Sequence, residues 1–244
     1  MMALDAWQWA LAAVAALVVG VSKAGIGGLG MLAVVIFAQI LPAKQATGLV
    51  LPLLCMGDIV GASVYRKHAS WHHVWRLFPW TAAGVVIGYF ALDVIDDRQA
   101  RLLIGGIILG LVVMHLIRRR WGGHEEEQGA WFAPTIGVLA GFTTLVANAA
   151  GPLMAVYMLA MRLPKLDYVG TGAVFFLLMN LFKVPFMVHL GLINPSSFSL
   201  NLALAPLVLL GAWLGRNLVA RIDQQAFENL ALGLSLLAGL KLLF

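Results

Sequence analysis

The chain has 244 residues, of which 61% are hydrophobic and 11% charged, and its mean hydropathy is +0.92. A composition this apolar excludes a soluble domain and specifies an all-α, polytopic membrane protein. The formal charge of +5 does not call for a nucleic-acid partner, because the basic residues cluster in short loops between apolar segments, where they set orientation in the bilayer. The single cysteine, Cys55, lies in an apolar run, so there is no disulfide framework or cysteine metal cluster to read.

In chain order, the N-terminus carries no Lys or Arg ahead of the first apolar run and so lacks the basic region of a secretory signal; it reads as the mature first segment. Apolar helices are expected over 7–20, 29–41, 44–65, 74–92 and 98–117. A hydrophilic stretch over 118–128 follows, and then helices over 131–146, 151–163, 165–190, 198–220 and 224–243. In each half the first two segments are 13 to 16 residues long, short of the ~20 that span a bilayer, while the other three are long enough.

The halves also match by residue. Gly20 aligns with Gly141, Leu41 and Pro42 with Leu163 and Pro164, Gly48 with Gly170, and Asp58 with Asn180. Further on, Pro79, Gly84, Gly88, Ile95 and Asp96 align with Pro206, Gly211, Gly215, Ile222 and Asp223. This is an internal duplication within one transmembrane domain spanning 1–244: repeat one over 6–118, a cytoplasmic linker over 119–130, and repeat two over 131–244.

Loop charges decide the relative orientation of the repeats. If each pair of short segments is a hairpin, each half crosses three times, and the loops 65–74, 118–127, 163–165 and 216–221 share a side. That side then holds ten Lys or Arg against four on the other. If each pair is instead one broken span, the count is seven against seven. The positive-inside rule therefore favours two inverted repeats, each a short broken or re-entrant hairpin plus three transmembrane helices, with both termini outside the cytoplasm. Paired interruptions of this kind point to a transporter's binding site at the bilayer midplane.

The first interruption holds Gly25, Gly27, Gly28 and Gly30 beside Ser22 and Lys23. Clustered glycines unwind a helix inside the bilayer, where freed backbone groups need partners, and a helix restarting at Leu29 would aim its N–H groups at the break. The second interruption is Asn148, Ala149, Ala150 and Gly151 ahead of Pro152, with Thr143 and Thr144 just before it. Pro152 suits a first helical turn, and Asn148 is placed either to cap that turn or to offer its amide to a ligand. The plainer reading of each interruption is a capped hairpin tip.

Lys23, Asp58 and Lys183 are ionisable residues within apolar segments. Each costs roughly 2.5 to 3.5 kcal/mol at a bilayer centre, so each requires a partner or a wet cavity. Asn180 and Lys183 stand three apart on one helix face, and Asp58 and Gly61 hold the equivalent positions in the first half. Two readings follow: Asp58 and Lys183 neutralise each other, or Lys183 with Asn180 binds a substrate anion while Asp58 handles a coupling proton or ion. The loop holding His68, His72 and His73 offers imidazoles, but Trp71, Trp75 and the neighbouring basic residues assign it to an interfacial belt. With no nucleophile elbow, zinc-helix motif or phosphate loop present, no enzymatic role, cofactor or metal is expected.

At these residues the chain resembles the sulfite exporter TauE/SafE-type family of the toluene sulfonate uptake permeases. The resemblance rests on the glycine-rich first interruption, on the stretch from Gly141 to Pro152 with Leu163, Pro164 and Lys165, and on the helix carrying Gly170, Thr171, Asn180 and Lys183 to Pro185. It covers nearly the whole chain. It implies a bacterial inner-membrane carrier of small sulfur-containing or organic anions, such as sulfite, sulfonates or sulfoacetate, driven by an ion gradient. The residues alone leave three functions open: an alternating-access anion carrier, a passive anion channel with the same site, and an intramembrane metal-handling or enzymatic protein. They leave the oligomeric state open as well.

Overall fold

The computed structural model describes residues 5–24, 30–37, 39–41, 43–91 and 129–243, with isolated positions between 98 and 116. Regular structure among the described residues is helical. In chain order the helices are α1 (Ala6–Ala24), α2 (Gly30–Phe37), α3 (Ala43–Tyr65), a 3-10 turn (Arg66–His68), α4 (Trp71–Ala91), α5 (Phe132–Ala147), α6 (Ala150–Ala160), α7 (Lys165–His189), α8 (Pro195–Arg221) and α9 (Gln224–Leu243). Gly25, Gly27, Gly28, the linker up to 128 and most of the segment expected over 98–117 lie outside the described residues.

Several boundaries differ from the sequence reading: α2 ends at Phe37 rather than 41, α4 starts at Trp71 rather than 74, and α6 ends at Ala160 rather than 163. Two further differences have a physical reason in packing and capping. The first helix runs 19 residues rather than stopping near Gly20, and so carries Ser22 and Lys23 in its last turn. Gly20 does not terminate it: a side chain there would run into the backbone carbonyl of Val208, so the glycine marks a close helix crossing. At ~1.5 Å per residue, α1 is about 28 Å long, nearly a bilayer core, whereas α2 with its eight residues is about 12 Å. The two arms of the first hairpin are therefore unequal. The second difference is in α8, which starts at Pro195 rather than 198. Asn194 accepts from the Ser197 N–H and Ser197 answers the Asn194 N–H, both at 3.0 Å, a capping box with proline in the first turn.

The packing exchanges partners between the halves. The first helix of each half lies most closely against the fourth helix of the other: α1 on α8, and α5 on α4. Glycines make both crossings, at matching positions. Gly20 meets Val208, Gly211 and Ala212, and Gly141 meets Thr81, Gly84 and Val85; reciprocally, Gly211 meets the Leu17 carbonyl and Gly84 the Val138 carbonyl. At the next turn Gly215 abuts Val21 and Gly88 abuts Phe142. Without a hydrophobic drive inside lipid, such close backbone contact is what holds transmembrane helices together. The third helices, α3 and α7, pack on each other between the two crossed pairs.

Polarity runs opposite to that of a soluble protein. Asp58, Asn180 and Lys183 are buried, while Phe90 and Trp213 are 68% and 60% exposed. Helices α1, α7 and α8 and the stretch 45–68 are long and apolar enough to cross a membrane. The Lys165 ammonium closes the C-terminal end of α8 by donating to the carbonyls of Val219, at 3.0 Å, and Ile222, at 2.5 Å. A cation there also complements the helix dipole.

Candidate functional site

The site forms where α1 and α5 end beside the middle of α3 and α7. Lys23, in the last turn of α1, is favoured there by the dipole and extends its ammonium to 3.0 Å from Asp58 Oδ1 on α3. The same ammonium lies 4.3 Å from the centroid of the Phe176 ring on α7, a cation–π contact. Asp58 Oδ2 accepts from Asn180 Nδ2 at 2.6 Å. Asp58 is fully buried, and among the described residues the Lys23 ammonium is the partner of its Oδ1.

At the end of α5 the chain reverses through Asn148, whose left-handed backbone (φ 51, ψ 32) asparagine tolerates. The Asn148 N–H donates to Thr144 O and the Ala149 N–H to Thr143 O, which satisfies the last carbonyls of α5 in a Schellman-type turn. Helix α6 begins two residues later, with Ala149 at its cap, a residue whose side chain cannot bond the first turn. Asn148 does not cap it, because its Nδ2 donates to the Thr47 carbonyl at 3.0 Å and its Oδ1 is held by Lys183. The first N–H groups of α6 are thus left to the site, with the positive end of the helix dipole behind them.

Lys183 is wholly buried and donates in three directions: to Asn148 Oδ1 at 2.6 Å, Thr144 Oγ1 at 3.1 Å and Asn180 Oδ1 at 3.3 Å. An ammonium has donors only, so it fixes which way both amides face. Each amide oxygen accepts from this ammonium and each amide has a second N–H beyond the one given to Thr47 or Asp58; Thr144 keeps its hydroxyl proton. Lys183 therefore turns this wall into a set of donors. Among the described residues Lys183 has no carboxylate partner; Asp58 pairs with Lys23 instead, so the mutual neutralisation of Asp58 and Lys183 is not what forms. Two ammoniums and one carboxylate leave the cluster with a net positive charge.

A cavity of about 60 Å³ opens beside this network. A single water needs roughly 10 to 15 Å³ on the same measure, so there is room for a small oxyanion with some of its hydration. Its polar wall is Ser22, Lys23, Asp58, Thr144, Asn148 and Asn180, and Gly151 and Pro152 bring the start of α6 to it. The rest of the lining is largely apolar, with Leu54, Met154, Met158, Val169 and Phe176.

Of the residues singled out in the sequence, Ser22, Lys23, Asp58, Thr144, Asn148, Gly151 and Asn180 meet at this cavity. Ala149 and Ala150 are buried in the turn beneath it, and Lys183 stands behind the wall rather than in it. Gly25, Gly27 and Gly28 lie outside the described residues. Thr143 bonds its own helix through the Ala140 carbonyl at 3.2 Å. In the histidine loop, His68 faces Asp167 at 3.7 Å and His73 meets the Tyr157 hydroxyl at 3.0 Å. Among the described residues no three His, Cys, Asp or Glu side chains converge as metal ligands would.

The apolar wall went unread in the sequence, though a signal for it exists. On α7, Val169, Ala173, Phe176 and Asn180 repeat at three and four residues, so the face that carries Asn180 also names its neighbours. Leu54 stands four residues before Asp58, and Gly151, Met154 and Met158 follow the same spacing on α6.

The family model described as sulfite exporter TauE/SafE matches residues 12–242. Neither a curated protein nor a solved structure matches the chain.

Proposed function

The chain belongs to the sulfite exporter TauE/SafE family, and from that premise we propose that this multi-pass membrane protein is an ion-gradient-driven carrier of small anions, of the sulfite, sulfonate or sulfoacetate class. The observation that carries the proposal is the buried cluster of Lys23, Asp58 and Lys183: net positive, fringed with donors, and set against the uncapped start of α6. Apart from Asp58, which Lys23 and Asn180 already engage, the wall offers N–H and O–H donors and so suits an anion better than a cation. An anion exchanges water for preformed donors and a helix N-terminus there.

In this reading the two repeats are inverted, and they rock about the α3–α7 contact to open the cavity to either side in turn. The glycine crossings support it, because matched, reciprocal contacts are what a two-fold relation between halves produces. The excess of Lys and Arg in one set of loops supports a reading with both termini outside the cytoplasm, and the family supports a bacterial inner membrane as the setting. The single domain has repeat boundaries at 6–118 and 131–244, joined through the linker over 119–130.

Purified protein in liposomes preloaded with sulfite, a sulfonate or a carboxylate tests the proposal by counterflow. A carrier accumulates labelled substrate against unlabelled substrate of the same kind. A passive channel gives current and no counterflow, and absence of movement of every anion removes the anion reading altogether.

A further inference from the structure

Resting on the anion reading of the cavity, we propose that a bound anion displaces Asp58 from Lys23, and that the released carboxylate takes a proton on Oδ1, so that each anion binds together with one proton. Lys23 is the cation an anion can reach. Its side chain is 10% exposed and lines the cavity, whereas Lys183 is completely buried with its protons directed at Thr144, Asn148 and Asn180. An anion that recruits Lys23 therefore competes with Asp58, which stands on the same cavity wall.

Among the described residues no second cation touches Asp58. From α7 it faces Asn180, with Lys183 one hydrogen bond further on; from α1 it faces Lys23; on its own helix the neighbouring titratable group is Cys55. At this level α8 presents Val208, seated against Gly57, and its nearest arginine, Arg216, is two turns further along. The described side chains of α2 include no titratable group. A fully buried carboxylate stripped of its ammonium, with a second negative charge a few ångströms away, is the arrangement that proteins resolve by protonation.

The atoms fix where the proton goes. Oδ2 remains an acceptor for Asn180 Nδ2, while Oδ1, whose partner among the described residues is Lys23, is the oxygen left open when that contact breaks. The step forms one O–H bond at Oδ1 with a proton taken up from water, and the ammonium keeps all its protons. For a monovalent anion the cluster then has the same net charge loaded as empty.

Titration calorimetry of the full chain in detergent tests this, with methanesulfonate as the probe because it stays monoanionic and binds no protons itself. Heats measured in buffers of different ionisation enthalpy should give one proton taken up per anion, and the affinity should fall about tenfold for each unit of rising pH, by linkage. In Asp58→Asn, whatever affinity remains should have no pH slope and no buffer dependence. Binding with no proton uptake, or uptake that persists in Asp58→Asn, overturns the exchange and leaves the anion site standing. If that variant does not fold, the wild-type pH slope and buffer dependence decide alone. Failure of methanesulfonate, sulfite and acetate alike to bind the wild type takes down the anion reading, and this inference with it.

Discussion

The two halves build one helix contact from opposite sides. The alignment that carries Gly20 onto Gly141 carries Lys23 onto Thr144, and the one that carries Asp58 onto Asn180 carries Gly61 onto Lys183. In the first half the lysine comes from α1 and a glycine on α3 receives it, with Gly61 so close that a side chain there would lie 2.6 Å from the Lys23 carbonyl. In the second half the lysine comes from α7 and reaches the small Thr144 on α5 at 3.1 Å. The backbone scaffold is thus shared between the halves and the chemistry is not. One lysine stands at the cavity against a carboxylate it can leave; the other is sealed behind the wall and sets its polarity.

If the scaffold is shared, equivalent damage must have equivalent effects. Gly20→Val and Gly141→Val should each prevent assembly of a monodisperse, cooperatively melting protein, since both push side-chain atoms into backbone; the expected loss is above ~4 kcal/mol in each case. Gly106→Val, where a side chain meets nothing within 4 Å, should melt like the wild type. A wide gap between the two crossing variants would show that the halves do not bear equal load.

If the chemistry is divided, damage to the sealed lysine must be felt by the ligand without contact. Lys183→Met leaves the oxygens of Asn148, Asn180 and Thr144 without a donor and frees both amides to turn. Hydrogen bonds to a charged group contribute ~1.5–3 kcal/mol each, so anion affinity should drop at least about a hundredfold by calorimetry, with a lower melting temperature. An affinity within a factor of two of the wild type would mean that Lys183 is only a core residue.

Smaller effects separate the residues around Lys23. Phe176→Leu keeps the apolar wall but removes the ring under the ammonium, a contact worth ~1 kcal/mol, so affinity should change by about fivefold in a binding titration. Thr143→Val should leave flux and melting unchanged within ~0.5 kcal/mol, because that hydroxyl serves only its own helix. Transport loss in Thr143→Val would move the site toward the inner side of the α5 tip.

Much of this was legible because lipid makes polarity expensive. Asp58, Lys23, Asn180 and Lys183 stand out in apolar helices, and each proved to belong to one network. The close crossings were legible through glycines at matching positions in the two halves, since a helix crossing that close admits no other residue. What sequence did not resolve had physical causes too. Gly20 looks the same whether it ends a helix or lets two pass, and only the neighbouring backbone of α8 distinguishes them. The pairing of Asp58 with Lys23 rather than Lys183 depends on where α1 ends, one turn further than its apolar run. Met154, Met158 and Leu54 line the cavity with side chains that would serve equally well against a helix or against lipid.

The exchange of partners between the halves sets a timetable for biogenesis. Helix α1 leaves the ribosome first, but α8, which covers its glycine face, begins only at Pro195. At ~5–20 residues per second, about 10 to 40 s pass before the two can meet. Through that interval the groove around Gly20 is open to any passing helix, and Lys23 waits in the membrane with Asp58 as its nearest relief. A chain cut after α4 would therefore leave the glycine face of α1 without the helix that covers it.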